Sequence, residues 1–324
     1  MRDIGIVGVP YSGKSTLFSA LTRSGSVGGR ANQAVVDVPD ERLPVLARLE
    51  SSRKVVHAKA RFVDVPGGLT ARGIAEYREV DALCIVVRAF GPDSDPKGEL
   101  DEISTELLVS DLAGVEGALE RARKRARGSR EGVEELAALE RAHEILDSDR
   151  PLREGNLDDA TVRALRGYGL LTLKPRVVVA NVEEGVADAW SEDVLAVSAA
   201  LEAEVAGMDA DEARELLAGF GVEKPGLDRV IEECYRALDL ITFLTTGSDE
   251  SRAWELRRGA TAPQAAGVIH SDLERGFIRA EVVSYEDLVG AGSWDAAKAA
   301  GRVRLEGKTY VVREGDVLNI RFAV

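Results

Sequence analysis

Cysteine and histidine are scarce in this 324-residue chain, and neither residue type forms a recognisable site. The two cysteines, Cys84 and Cys234, lie in apolar or helical contexts, so we expect reduced core thiols rather than a disulfide. The three histidines, His57, His143 and His270, do not have the spacing of a metal site, so we expect them to be structural or surface residues.

Long apolar runs are also missing. No stretch approaches the roughly 18–20 apolar residues that a membrane-spanning helix needs. The chain starts directly with an apolar segment at residues 4–7, without the basic start, apolar stretch and cleavage site of a signal peptide. We therefore expect a cytoplasmic protein, and we find no internal repeats or low-complexity tracts.

Positive charge is in deficit. The sequence has 42 lysines and arginines against 56 aspartates and glutamates, which gives a net charge of −14. Such a surface repels polyanions on average, which argues against non-specific nucleic-acid binding by the whole chain but leaves room for a local basic patch. With 45% hydrophobic and 30% charged residues, the composition is that of a globular protein of two or three domains.

Strand-like and helix-like segments alternate in the first and middle parts of the chain. The third strand-like segment is a continuous apolar run, which is typical of a parallel sheet covered on both faces. This alternation predicts an α/β fold with a doubly wound parallel sheet. The predicted strands are residues 4–7, 60–65, 82–88, 176–180 and 194–197, and residues 14–22 form a helix after the first strand.

A helical pattern interrupts this alternation between residues 101 and 158. Apolar residues recur there at spacings of three and four, with a break at Gly128 and Ser129, and this predicts an inserted antiparallel hairpin, or coiled coil. A basic run at residues 121–127 falls near the predicted tip. It is either a solvated helix face or a contact for RNA or an acidic partner.

Short strands and turns dominate the end of the chain, which predicts a small α+β domain. The strands are expected at residues 276–284, 303–306, 308–312 and 317–322, separated by Gly307 and Gly315. The predicted domains are a nucleotide-binding domain at residues 1–100 and 159–238, the hairpin at 101–158, and a C-terminal domain at 239–324.

The clearest motif lies between the first strand and the first helix. Residues 8–15 read Gly-Val-Pro-Tyr-Ser-Gly-Lys-Ser and fit the P-loop pattern in full. Backbone N–H groups and the positive end of the helix hold phosphates there, Lys14 reaches the β and γ phosphates as the catalytic cation, and the Ser15 hydroxyl binds Mg²⁺. The predicted nucleotide contacts in this segment are Gly8, Pro10, Tyr11, Ser12, Gly13, Lys14, Ser15 and Thr16.

A second motif ends the next predicted strand of the nucleotide domain. Asp64 and Gly67 form a D-x-x-G pattern about 50 residues after the P-loop. We expect the Asp64 carboxylate to hold Mg²⁺ through water and the Gly67 N–H to contact the γ phosphate.

Two later segments occupy the places of base-binding loops. Asn181, Val182 and Glu184 stand where G proteins carry N-K-x-D, whose aspartate accepts two hydrogen bonds from guanine. A glutamate should not reproduce this geometry, so we expect a weakened preference for guanine. After the next strand, Ser198, Ala199 and Ala200 are placed like the loop that closes over the base.

With these motifs assembled, the chain resembles the YchF/Obg-like ATPase family over nearly its whole length. Its N-V-E-E segment is similar to that family's variant base motif, the predicted hairpin sits at the family's coiled-coil insertion, and the segments at residues 252–281 and 305–308 resemble its C-terminal TGS domain, a ubiquitin-like β-grasp module. The resemblance implies binding of ATP, and possibly also GTP, with Mg²⁺, slow hydrolysis, association with ribosomes, and a role in translation or stress regulation.

Several residues depart from the family's pattern. Tyr11 stands where the family usually has an asparagine associated with potassium-assisted hydrolysis, and the segment after Gly67 is short. Residues 91–96 contain no histidine, residues 25–39 contain no threonine for Mg²⁺, and no glutamine follows Gly67. We therefore describe a divergent member in which the binding motifs are intact and the hydrolytic ones are reduced.

Alternatives remain open at this point. The chain is either a slow ATPase whose nucleotide state governs docking on a ribosome or protein partner, or a nucleotide-responsive binding module with little hydrolysis. A true GTPase is a third possibility. The C-terminal domain either completes the fold or contacts RNA. We expect a monomer. The arginines expected to make the RNA contact are Arg252, Arg257, Arg258, Arg275 and Arg279.

Overall fold

The computed structural model describes residues 1–24, 32–65, 68–126, 130–186 and 188–323. The strands are β1 (Arg2–Val7), β2 (Gln33–Asp37), β3 (Lys54–Val56), β4 (Lys59–Asp64), β5 (Ala82–Ala89), β6 (Arg176–Val182), β7 (Val194–Val197), β8 (Leu240–Thr245), β9 (Glu250–Arg257), β10 (Phe277–Ser284), β11 (Arg304–Glu306) and β12 (Asp316–Phe322). The α-helices are α1 (Lys14–Ser24), α2 (Arg42–Leu49), α3 (Ala71–Tyr77), α4 (Pro96–Arg125), α5 (Arg130–Asp147), α6 (Asp159–Leu165), α7 (Ala199–Val205), α8 (Ala210–Gly219), α9 (Gly226–Ala237), α10 (Ala262–Ile269), α11 (Ser271–Arg275), α12 (Tyr285–Ala291) and α13 (Trp294–Ala299). Single turns of 3₁₀ helix lie at Leu152–Glu154, Arg166–Tyr168 and Leu171–Leu173.

The chain folds into two compact units. The first comprises residues 2–36 and 61–230, and the second comprises Met1 and residues 37–60 and 231–324. The predicted boundaries at residues 100, 158 and 238 stay predictions.

A sheet with the strand order β2-β4-β1-β5-β6-β7 forms the centre of the first unit. Strand β5 pairs in parallel with β1 and with β6, and β6 pairs in parallel with β7. Residues 82–87 of β5 are all buried, because both faces of the sheet are covered, and this explains the continuous apolar run in the sequence. The α/β fold and the five strands predicted for this part of the chain are confirmed.

Helices α4 and α5 pack against each other around an apolar cluster that includes Val115, Leu119, Leu139 and Leu146. Their contacts run in opposite directions along the chain, since Arg125 pairs with Glu135 and Glu116 lies 3.7 Å from His143. The helices are therefore antiparallel, as predicted, although the first begins at Pro96 rather than near residue 101. The predicted turn at Gly128 and Ser129 lies outside the described residues.

Asp111 anchors the middle of α4 to the rest of the first unit. Its fully buried carboxylate accepts hydrogen bonds from the backbone N–H groups of Leu171 and Thr172, at 3.0 and 2.7 Å, and from the Thr172 hydroxyl. It also pairs with Arg78, the residue that follows α3, at 3.1 Å. The guanidinium of Arg78 further donates to the backbone and side-chain oxygens of Ser110. These contacts join the end of α3 to the helical insertion.

The second unit contains a sheet with the order β11-β10-β12-β8-β9-β3. Its apolar core includes Phe243, Leu256, Val282 and Leu318. Strand β3, from residues 54–56, pairs in parallel with β9, a long-range connection that no sequence pattern indicated.

The prediction of a strand at residues 308–312 was wrong. Only an isolated bridge between Thr261 and Val311 is found there, and β12 pairs with β10 and β8 instead. The backbone of this segment bonds to the start of α10, because the Ala262 N–H donates to the Tyr310 oxygen and the Val312 N–H donates to the Ala260 oxygen. The segment is apolar because Tyr310 and Val312 pack into the core.

Within the described ranges, no helix has both the length and the apolar character needed to cross a membrane. The cysteines Cys84 and Cys234 are buried without a disulfide, as predicted.

Candidate nucleotide-binding site

The loop between β1 and α1 turns tightly around Gly8. A Cβ atom on Gly8 would lie 2.5 Å from the Ser12 hydroxyl oxygen and 2.7 Å from the Val86 backbone oxygen, so any side chain at this position would clash. The loop leads straight into the first turn of α1 at Lys14, where unpaired N–H groups and the helix dipole favour an anion.

Gly13 combines a left-handed backbone with close contact to a second loop. Its φ is +88°, and a Cβ atom would lie only 1.9 Å from the Asn181 amide nitrogen. The Asn181 side chain donates to the Ser12 oxygen at 3.1 Å and accepts from the Ala199 N–H at 2.9 Å. Asn181 therefore fixes the P-loop and the loop after β7 relative to each other.

The P-loop borders a cleft of about 870 Å³ in the first unit. Every P-loop residue predicted to contact nucleotide lines it. The cleft is thus centred on the sequence motif, and it is bounded by further residues that sequence reasoning did not single out. These are Val9, Gly68, Leu69, Thr70, Arg88, Phe90, Glu102 and Glu106.

Lys14 lines the cleft and pairs with Asp64, which is not one of the residues that line it. Their side chains form an ion pair of 2.8 Å, and 18% and 23% of their respective surfaces are exposed. Ser15, the next residue after Lys14, is exposed and lines the same cleft, so its hydroxyl is accessible there. A hydroxyl and a carboxylate are hard oxygen donors of the kind Mg²⁺ prefers, so the residues present fit this ion. Among the described residues, no cluster of three or more His, Cys, Asp and Glu side chains forms a different metal site.

The segment that leads into α3, at Gly68, Leu69 and Thr70, forms one wall of the cleft. Thr70 caps its N-terminus by accepting from the Gly73 N–H, and Gly73 lacks a side chain where a Cβ would lie 2.0 Å from the Gly68 oxygen. At its other end, Tyr77 donates its hydroxyl to the Ile6 oxygen of β1 at 2.9 Å. Burial raises the pKa of Tyr77, and the nearby carboxylates of Asp64 and Glu76 raise it further. This hydrogen bond of Tyr77 fixes the helix to the sheet. Gly67, the predicted contact of the γ phosphate, lies outside the described residues.

A second cleft of about 490 Å³ adjoins the first and shares Gly13, Thr16 and Phe90 with it. Of the predicted base-binding residues, Asn181, Val182, Glu184, Ser198 and Ala200 line this second cleft. Ala199 does not line it, because its side chain is buried and its N–H is bonded to Asn181.

Tyr11 and Ser12 point in different directions. Tyr11 has a φ of +67°, unusual for a bulky residue, and is 90% exposed at the cleft. Ser12 is fully buried beneath the loop, and its backbone N–H donates to the Val9 oxygen at 3.3 Å, so Ser12 shapes the loop from below. Sequence reasoning named both residues but did not distinguish these roles.

The residues that sequence reasoning missed come from two places. Arg88 and Phe90 lie at the carboxyl end of β5, and ligands of parallel sheets bind at such ends, so the strand prediction already contained this signal. Glu183 holds the loop that follows β5, since its carboxylate accepts a hydrogen bond from the Gly91 N–H at 3.1 Å. Glu102 and Glu106 come from α4, and no local pattern indicated that this helix reaches the cleft.

Two family models match this chain. Residues 3–110 match the family model described as "50S ribosome-binding GTPase". Residues 240–323 match the YchF GTPase C-terminal model, described as "Protein of unknown function (DUF933)".

Curated relatives match the chain from end to end. It is 40% identical to the ribosome-binding ATPase YchF of Haemophilus influenzae and 38% identical to that of Bacillus subtilis, with 99% of each chain covered in both cases. Among solved structures, the YchF GTPase of Schizosaccharomyces pombe superposes with a TM-score of 0.89 at 32% identity, covering 99% of this chain and 97% of the other.

Proposed function

Because the chain belongs to the YchF family, we propose that it binds ATP with Mg²⁺, hydrolyses it slowly, and couples its nucleotide state to binding of the ribosome. The observation that carries this proposal is the P-loop cradle itself. Gly8 and Gly13 allow the loop to close, α1 points its positive end into the cleft, and Lys14 lies against Asp64.

We assign Mg²⁺ to Ser15 and Asp64. Bound there, the ion would neutralise charge on the β and γ phosphates. Lys14 would bind the same phosphates, and the loop N–H groups would orient them. Lys14 and Asp64 are paired with each other. Binding of the magnesium–triphosphate complex would replace this ion pair with two contacts between opposite charges, Lys14 with the phosphates and Asp64 with Mg²⁺.

ATP is the preferred nucleotide in this proposal. Glu184 and Val182 line the base cleft where a guanine-specific site carries aspartate and lysine. A longer carboxylate side chain displaces its oxygens from the two guanine donors, so guanine loses the advantage it has in G proteins.

The second candidate is a nucleotide-responsive binding module with little or no hydrolysis. It is favoured by Tyr11, which cannot supply the amide oxygen of an asparagine, and by the lack of histidine in residues 91–96.

Single-turnover hydrolysis with excess protein separates the two candidates. With Mg²⁺ and K⁺ present, the ATPase proposal predicts conversion of bound ATP to ADP within hours, and GTP should compete more weakly than ATP for the site at equilibrium. If no ADP forms, the binding-module candidate replaces the enzyme. A clear preference for GTP would instead overturn the assignment of Glu184.

We further propose that the second unit contains a TGS domain that contributes to ribosome binding, together with the helical insertion, in a monomeric cytoplasmic protein. The five arginines expected to contact RNA differ in their surroundings. Arg258 pairs with Asp239, Arg275 contacts Asp272, and Arg252 lies over the Trp254 ring. Among the described residues, Arg257 and Arg279 have no ion-pair partner, which makes them the strongest candidates for a phosphate contact.

A further inference from the structure

Arg88 is a second cationic side chain in the cleft that holds the P-loop. It lies near the carboxyl end of β5, and 34% of its side chain is exposed. Among the described residues that line this cleft, Lys14 and Arg88 are the positively charged ones. In the function proposed above, Lys14 binds the phosphates, and Arg88 has no assigned role.

The ion pair between Arg88 and Glu99 is long. Its Nε lies 3.6 Å from a carboxylate oxygen of Glu99, which is beyond hydrogen-bond distance, and its Nη2 donates to the Asp93 backbone oxygen at 3.0 Å. By comparison, Lys14 and Asp64 are 2.8 Å apart. A partly exposed ion pair at 3.6 Å stabilises the protein little, so the guanidinium can change partner at low cost.

The charge around the cleft favours such a change of partner. Glu102 and Glu106 face the same cleft from α4 and repel an entering triphosphate. A second cation beside Lys14 offsets this repulsion. Arginine suits the task because its planar fork binds two phosphate oxygens at once, and these charge-assisted bonds are stronger than its present contact with Glu99.

We propose that Arg88 leaves Glu99 when a nucleoside triphosphate binds and places its guanidinium on the terminal phosphate. This inference rests on the proposed function, because it requires that the cleft binds the triphosphate.

The partner that Arg88 releases lies in the first turn of α4. The Glu99 carboxylate also accepts the backbone N–H of Arg88 at 2.7 Å, and this bond keeps Glu99 in place after the guanidinium leaves. Loss of the terminal phosphate would let the guanidinium return to Glu99.

Comparison of triphosphate and diphosphate affinity tests this assignment. Calorimetry measures the Kd of the full chain for a non-hydrolysable ATP analogue and for ADP, each with Mg²⁺, in the wild type, Arg88→Ala and Arg88→Lys. We expect Arg88→Ala to weaken analogue binding about tenfold or more relative to ADP, the loss typical of one charge-assisted hydrogen bond. Arg88→Lys should retain part of the preference, because it keeps the charge but not the fork.

Two further variants control for indirect effects. Glu99→Gln removes the competing charge and should raise the preference for the triphosphate. Arg141→Ala removes an exposed arginine that pairs with Glu144 on α5, and should leave both Kd values unchanged. If Arg88→Ala weakens both ligands equally, or neither, Arg88 only ties β5 to α4 and the proposal fails. Should Arg88→Ala not fold, an unchanged preference in both Arg88→Lys and Glu99→Gln overturns it. Failure of the wild type to bind either ligand would refute the proposed function instead.

Discussion

Gly13 and Asn181 show how single residues hold the nucleotide site together. The amide of Asn181 bonds to Ser12 in the P-loop and to Ala199 in the loop after β7, and it can do so because Gly13 leaves room for it. The two loops that would meet the phosphates and the base are thus held by one side chain. Its position depends on the absence of an atom at Gly13.

Replacing Gly13 with alanine should therefore damage both stability and binding. The left-handed backbone at this position is strained for alanine, and the new Cβ would lie 1.9 Å from the Asn181 amide nitrogen. Asn181 must therefore move and give up its two hydrogen bonds. We expect a loss of about 1–3 kcal/mol in the free energy of unfolding, measured with urea, and weaker ATP binding.

Gly207→Ala is the matched control for this substitution. Gly207 has a φ of +97°, and a Cβ there would have nothing within 4 Å. It therefore carries the backbone strain without the clash. Equal losses in the two variants, with ATP binding retained in Gly13→Ala, would show that the Asn181 contact is unimportant.

Residue roles were only partly predictable from the sequence. The P-loop pattern identified the cradle because its backbone geometry is set by residues next to one another. The roles of Ser12 and Ala199 were not predictable, because they depend on which way a side chain points and on partners far along the chain. Ser12, for example, has a hydroxyl group that could bind phosphate, but the residue is buried under its own loop.

At the scale of elements, helix α4 contacts several parts of the first unit. Its 30 residues span about 45 Å. Its first turns line the cleft with Glu102 and Glu106, and Asp111 ties it to Arg78 after α3. Periodicity predicted the helix and its antiparallel partner. It could not predict the anchor, because Leu171 and Thr172 lie about sixty residues away from Asp111.

Strands β10 and β12 bring two arginines of like charge together. Arg279 lies directly opposite Arg321 in the antiparallel register, and Arg321 contacts Glu281 while Arg279 has no ion pair among the described residues. Facing like charges destabilise a sheet by roughly 0.2–1 kcal/mol. A polyanion bound to this surface would relieve that repulsion.

Arg279→Glu should accordingly have opposite effects on stability and on ribosome binding. The new carboxylate would pair with Arg321 and raise the free energy of unfolding slightly, while co-sedimentation with ribosomes at low salt should decrease. Arg214→Glu, on α8, applies the same charge change to an arginine that pairs with Asp211, and should leave co-sedimentation intact. Unaltered co-sedimentation of Arg279→Glu would remove β10 from the proposed interface.

At the scale of the whole molecule, the chain combines the proposed nucleotide cleft with a net charge of −14. A surface of this sign repels nucleic acid on average, so the proposed ribosome binding has to depend on local basic groups. The two compact units are also interleaved in sequence, because residues 37–60 belong to the unit that contains the C-terminus. That exchange was not predictable, since β3 is three residues long and its pairing with β9 leaves no periodic signal.

In the proposed site, main-chain N–H groups, Lys14 and a hydroxyl-bound Mg²⁺ together hold one anion at the start of α1. Calorimetric titration of the purified chain with ATP, with and without Mg²⁺, tests it most directly, with Lys14→Ala titrated in parallel. We expect magnesium-dependent binding at a single site, and loss of tight binding in Lys14→Ala. No detectable binding of any magnesium–triphosphate complex to the wild type, or equal affinity in Lys14→Ala, would contradict it.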